Sequence, residues 1–240
     1  MLSGLADFAQ SPDGAEMLTT ALYGGVMHPS GMPLQAWINK IFVFLGPSHP
    51  GWMLSLVSWL GHWGSVYLFL RVLDFLRLSW PTRLISVLSY AYFPVLWRLA
   101  LQPEKYTWLA LTFWLCIHLF LRLQEEKNFR LAGFAGLAFA FSLAQHSAAL
   151  VLAPAFILTL LYQERKSATL ALLVNTTITF GLYASLLFLR RPDGGWVDWG
   201  QLESLLDVWN HFWRADYGTL NLHTRLVGEN VRRGSDELLA

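Results

Sequence analysis

Long uncharged stretches alternate with short charged ones over most of this chain. Residues 51–70 and 168–189 contain no Asp, Glu, Lys or Arg, and each is close to the roughly 20 residues that carry a helix across a bilayer. A longer uncharged run, 131–163, is interrupted only by "AQHS" at 144–147, which suits two short helices with a turn at Gln145-His146. Two further apolar stretches, 84–100 and 106–123, flank the polar "LQPEK". The pattern therefore predicts six spans, at 51–70, 84–100, 106–123, 129–145, 148–163 and 168–189. The expected fold is all-α, a polytopic transmembrane helical bundle at 51–189. A polar-punctuated region, 1–50, precedes it and a closing segment, 190–240, follows. In the closing segment "QLESLLDVWNHFW" (201–213) sets Leu202, Leu205, Leu206, Trp209, Phe212 and Trp213 at helical spacing. That spacing predicts an amphipathic helix lying in the membrane interface. The apolar piece 34–45 is too short to span and fits the interface as well.

Composition agrees with the pattern. Of 240 residues 55% are hydrophobic and 14% charged, against about a quarter charged in soluble domains. A net charge of +1 with no basic cluster argues against a nucleic-acid partner. The single cysteine, Cys116, lies in a predicted span and has no intrachain partner. Residues 1–20 lack the basic start and apolar core of a cleavable signal. Phosphate-binding loops, dinucleotide fingerprints, H-E-x-x-H, G-x-S-x-G and C-x-x-C are all missing, so nucleotide-driven pumping, zinc proteolysis and serine hydrolysis lack support.

Cations set the expected orientation. Arg71, Arg77, Arg83, Arg122, Lys127, Arg130, Arg165 and Lys166 fall in linkers on one side, which the positive-inside rule makes cytoplasmic. The other side, through residue 105, holds only Lys40, Arg98 and Lys105. The N-terminal tail then faces outward, together with the 102–106 loop, the 145–147 turn and everything after 190. Asp13, Glu16, His28, Glu104, His146 and Asp198 thus share one non-cytoplasmic layer. Arg190-Arg191 sits on that side against the rule, so either the last span is misplaced or the pair holds something anionic.

Several of these residues have two readings. Asp13 and Glu16 share a helix face, either as a carboxylate pair suited to proton abstraction or cation binding, or as a helix cap with Glu16 closing a capping box. "HPSGMP" (28–33) joins a titratable ring to a rigid turn. His146 ends a helix in which Ala132, Gly136, Ala140 and Ala144 form a small-residue face for close packing, and it is either a hydrogen-bonded structural histidine or a ligand-binding one. His62 and His118 lie mid-span and pose the same question. Glu104 beside Lys105 reads as a solvated pair or an external acid. In "WVDWG" (196–200) the aromatic residues beside Asp198 suit sugar hydroxyls or interfacial anchoring. A divalent metal at Asp13, Glu16 and a histidine is compatible with the residue types, without a diagnostic spacing.

In order along the chain, "DGAE…HPSGMPL", "PEKY", "LAQHSAALVLAPA", "DWG" and "RADYG" resemble the motifs of the protein O-mannosyltransferase-like membrane proteins of the C-type glycosyltransferase superfamily. The resemblance runs from residue 13 to about 218. It implies a C-type glycosyltransferase-like bundle that moves a sugar, with mannose a candidate, from a polyprenyl-phosphate donor to an acceptor hydroxyl of a protein or glycan outside the cytoplasm. It implies an acid of the first external loop as general base: Asp13, with Glu16 beside it. His28, His146, Arg190 and Arg191 become candidates for the leaving phosphate, and Glu104, Asp198 and Trp199 for other substrate contacts. The family usually has a span before the acidic loop and more after it, so the chain is expected to be incomplete at one or both ends. A noncatalytic partner or fragment of such an enzyme, and a solute transporter, are the rival readings.

Overall fold

The computed structural model describes residues 4–7, 11–190, 197–200 and 202–215, and every regular element among them is helical. Proline starts many of these helices, because its missing N–H is one that a first helical turn leaves unbonded anyway. Helices α1 (Pro12–Tyr23), α2 (Pro33–Leu45) and α3 (Pro50–Phe75) all begin this way. They are followed by α4 (Trp80–Ala91), α5 (Pro94–Ala100), α6 (Tyr106–Glu125) and α7 (Phe129–Gln145). A 3-10 helix (Ser147–Leu152) leads into α8 (Ala153–Leu161). Then come α9 (Arg165–Ala184), its short continuation α10 (Leu186–Leu189), and α11 (Leu205–Phe212).

Three helical segments are long and apolar enough to cross a membrane: Pro50–Phe75, Tyr106–Glu125 and Arg165–Leu189. Phe129–Gln145 and Ser147–Leu161 are apolar but shorter, and the expected break at His146 is present. The segment 84–100, expected as a single span, is instead divided between α4 and α5. Pro94 explains the division. Its ring excludes a helical Phe93, whose backbone is extended (φ −58°, ψ 122°).

The long helices pack in sequence order, α3 on α6, α6 on α7 and α7 on α9, and small residues set how closely. Ala132, Ala140 and Ala144 are fully buried on α7, so the small-residue face is the packing face. A Cβ added at Gly136 would lie 2.2 Å from the Ala171 carbonyl oxygen of α9. Between α3 and α6, Trp108 Nε1 donates to the Val57 carbonyl at 2.8 Å, over Gly61, where a Cβ would lie 2.6 Å from the indole. His62 also belongs to the packing, since its Nε2 lies 3.0 Å from the Ala91 carbonyl.

Helices α1 and α2 are tied across one end of this stack. Ser58 of α3 accepts from the Glu104 N–H (2.8 Å) and donates back to the Glu104 carbonyl (3.1 Å). Gln145 at the end of α7 donates to Gln35 of α2 at 2.5 Å, and Gln35 donates to Asn39 at 2.7 Å. The turn between α1 and α2 is held from its far side. At Gly31 (φ 76°) a Cβ would meet Leu186 at 2.8 Å and His211 at 3.0 Å. His211 Nε2 lies 3.0 Å from the Met27 carbonyl. That histidine belongs to α11, which starts with a capping box between Ser204 and Asp207. Val208 and His211 of α11 are buried while Leu205, Leu206 and Trp209 stay exposed, so the helix leaves part of its apolar surface uncovered.

A Gly136→Val variant should lose about 3 kcal/mol, because the obstacle is backbone that cannot move aside. Gly181→Ala, at a helical position with open space around it, should be neutral or stabilising by up to about 1 kcal/mol. Thermal unfolding in detergent micelles compares the two.

Candidate active site

The first turn of α1 is capped by Ser11, whose Oγ accepts from the Gly14 N–H at 3.0 Å. This corrects the reading of Asp13 as a cap with Glu16 closing a capping box. Both carboxylates are turned to other work. Glu16 accepts from the His28 backbone N–H at 2.6 Å and meets His28 Nδ1 at 2.5 Å. Asp13 forms an ion pair with the Lys105 ammonium at 2.8 Å, and the same ammonium lies 3.0 Å from His28 Nε2. An ammonium can only donate, so Nε2 is the accepting nitrogen and the ring hydrogen sits on Nδ1, pointing at Glu16. The result is a directional chain: Lys105 donates to Asp13 and to His28, and His28 donates to Glu16.

Lys105 is 3% exposed, against 36% for the side chain of Asp13. With both Glu104 and Lys105 buried, the reading of the two as a solvated loop pair is corrected. Burial of Lys105 comes from its place at the start of α6, under α1, with the Tyr106 ring centroid 5.3 Å from Nζ. This buried ammonium at the cleft is what sequence reasoning missed. The usable signal was scarcity, since through residue 105 the expected outer side holds only three cations, Lys40, Arg98 and Lys105.

Asp13, Glu16 and His28 line a cleft of about 520 Å³ with Pro12, Ala15, Thr19, Val197 and Trp199. The rings of Trp199 and His28 meet edge to face, 6.5 Å between centroids. Trp199 is held there by backbone pairing, its N–H donating to the Val26 carbonyl at 3.1 Å. Asp198 accepts from the Val26 N–H at 3.1 Å. Gly25 (φ 111°) permits the approach, because a Cβ there would lie 1.9 Å from the Val197 carbonyl oxygen. Asp198 thus fastens the segment that carries Trp199. Arg190 is not on the cleft wall, and its Nη1 donates to the Leu202 carbonyl at 2.8 Å. Arg191 lies outside the described residues, as do Trp196 and the last three residues of "RADYG".

Glu104 is buried and is not among the residues lining the cleft. Its Oε1 accepts from Ser11 Oγ at 3.2 Å, while Oε2 is buried without a hydrogen-bond partner among the described residues. Burial, followed by the nearby Asp13 charge, pushes its carboxyl above the usual range. Burial would push Asp13 up as well, but the Lys105 ammonium outweighs it and holds the carboxyl below its ordinary value. The donor atoms of Asp13, Glu16 and His28 lie within 4.8 Å of one another, close enough to share a divalent cation. The Lys105 ammonium already lies against two of the three, so a metal would have to displace it.

His146 is the cap of the 3-10 helix. Its Nδ1 accepts from the Ala148 N–H at 3.0 Å, a bond that only the neutral ring can make. Burial, then the Lys105 and Arg214 cations, push it down to about 4. The unfolded chain therefore binds this proton first, so the ring's contribution is intact above the ordinary value of 6.5 and is lost as pH falls toward 4. His146→Asn, which keeps an accepting cap, should lose less stability than wild type between pH 6.5 and 4, by up to about 3 kcal/mol. Melting curves across that window measure it.

Comparison with known proteins places the chain in a family. Residues 13–169 match the family described as the protein O-mannosyl-transferase TMEM260 N-terminal domain, a stretch that includes Asp13, Glu16, His28, Glu104, Lys105 and His146. The protein O-mannosyl-transferase tmem260 of Dictyostelium discoideum is 26% identical over 235 residues, covering 88% of this chain and 28% of its own length. The protein O-mannosyl-transferase TMEM260 of Mus musculus is 26% identical over 236 residues, covering 91% and 33%. The chain thus spans about a third or less of these relatives. No solved structure matches. On the family match over most of its length, the chain belongs to the O-mannosyl-transferase-like family defined by the TMEM260 N-terminal domain.

Proposed function

We propose that this chain carries the active face of a membrane glycosyltransferase. It moves a sugar, mannose by the names of its relatives, from a polyprenyl-phosphate donor to an acceptor hydroxyl on the non-cytoplasmic side of a multi-pass membrane protein. The observation that carries the reading is the cleft. A half-exposed carboxylate, Asp13, stands on its wall beside Glu16, His28 and an exposed tryptophan, Trp199. This is the mix of acid and aromatic surface that a sugar and a hydroxyl nucleophile need.

In the proposed reaction the acceptor oxygen attacks the anomeric carbon as its proton passes to Asp13. The bond from that carbon to the phosphate oxygen breaks, and the lipid phosphate leaves with the bonding electrons. Glu16 holds the His28 ring and backbone, and so fixes the wall beside Asp13. The bond network supports holding and orienting roles for these two residues. The positive-inside bias of the linkers supports the sidedness.

A noncatalytic role is the second reading, favoured by the pairing of Asp13 with Lys105, which also suits a purely structural ion cluster. Sugar transfer in membranes from a labelled polyprenyl-phosphate mannose separates the two. Transfer should be measurable for wild type and should fall roughly 10²–10⁴-fold in Asp13→Asn, the usual worth of a general base. Equal transfer by both forms removes Asp13 from that role, and no transfer by correctly inserted wild type supports the noncatalytic reading.

A further inference from the structure

Lys105 stands immediately behind the cleft wall. It is not among the residues that line the cleft, whereas Asp13 and His28, its two partners, are. Asp13 is the negatively charged partner of the buried ammonium on the cleft wall, so its position is the one that an anion entering the cleft would take over. While Asp13 keeps that position it is a poor proton acceptor, because a carboxylate bound to an ammonium must surrender the ion pair before it takes a proton. Resting geometry and catalysis therefore pull in opposite directions, and something has to relieve the pair before Asp13 can act.

A phosphate group is suited to do so. It presents several strongly accepting oxygens to an ammonium, and it gains a second negative charge as its bond to the sugar breaks. An ammonium already buried and aimed at that place stabilises this charge where it develops. We propose that Lys105 is an exchangeable counter-ion: the phosphate of a lipid-linked donor takes the ammonium over from Asp13, so that the base is released only when the donor is seated. No covalent bond changes in the exchange; one ion pair replaces another. Donor binding would then precede acceptor activation, and an empty site would keep its base neutralised. The inference rests on the lipid-phosphate donor reading above.

The test is direct binding rather than turnover. The full 240-residue chain, purified in nanodiscs, is titrated with farnesyl phosphate, with farnesol as its uncharged counterpart, and with phosphatidic acid and inorganic phosphate. Wild type should prefer farnesyl phosphate to farnesol, and Lys105→Gln should lose the preference. Asp13→Asn removes the competitor for the ammonium and should bind farnesyl phosphate more tightly than wild type, by about tenfold or more, the worth of one charge-assisted contact. Asp13→Ser serves the same purpose if the asparagine form does not fold. An equal gain for inorganic phosphate assigns the effect to the phosphate group alone. A gain confined to farnesyl phosphate and phosphatidic acid assigns it to phosphate on a lipid. Affinity unchanged or weakened in the Asp13 variants overturns the exchange, even if sugar transfer is robust. A tenfold gain in the Asp13 variants, with no sugar transfer by correctly inserted wild type, keeps the exchange and removes the glycosyltransferase reading.

Discussion

An ammonium taken out of water costs several kcal/mol unless negative charge and hydrogen-bond acceptors lie against it, and Lys105 is almost wholly buried. Much of the arrangement at this end of the molecule answers that requirement. Asp13 supplies the charge, His28 Nε2 supplies an acceptor, and Glu16 orients the ring that carries it. These contacts bind three separate pieces of chain to one another: the first turns of α1, the turn between α1 and α2, and the start of α6. Ser58 grips the Glu104 backbone beside Lys105, and Gln145 donates to the Lys105 carbonyl at 3.2 Å. The lysine is thereby fixed from both its head and its main chain.

The cleft exists because of this tie and of a second one. The 197–200 segment is brought to the α1 side by backbone pairing at Val26 and by Asp198, and the approach needs glycine at position 25. Without it Trp199 would have no fixed place beside His28. Behind the turn, Gly31 lets Leu186 and His211 close in, so α10 and α11 reach the same structure. Residues spread over most of the chain meet in one small region, which is how a helical bundle usually builds a site between its elements.

Much of the architecture could be read from the chain alone because its signals are local. The break at His146, the small-residue face of α7 and the amphipathic pattern of α11 each depend on residues a few positions apart, and each is present in the structure. The grouping of Asp13, Glu16 and His28 followed from their shared opening region. What escaped was long-range or competitive. His28 and Lys105 are 77 positions apart, and nothing near Lys105 announces that it is buried. Ser11 displaced Asp13 as the cap because a serine hydroxyl ahead of Pro12 does that work and leaves the carboxylate free to meet a cation. Pro94 divided an apolar run that hydropathy alone read as continuous. The hold of Asp198 on the Val26 backbone spans 172 positions and is likewise invisible in the sequence.

The site depends on the coupling between Asp13 and Lys105, and a double-mutant cycle on thermal stability measures it. Asp13→Asn, Lys105→Met and the double variant are compared with wild type in the same detergent. The double variant should lose less than the sum of the two singles, by about 1–3 kcal/mol, because removing both partners leaves no buried charge uncompensated. Losses that add to within about 0.5 kcal/mol would contradict that coupling.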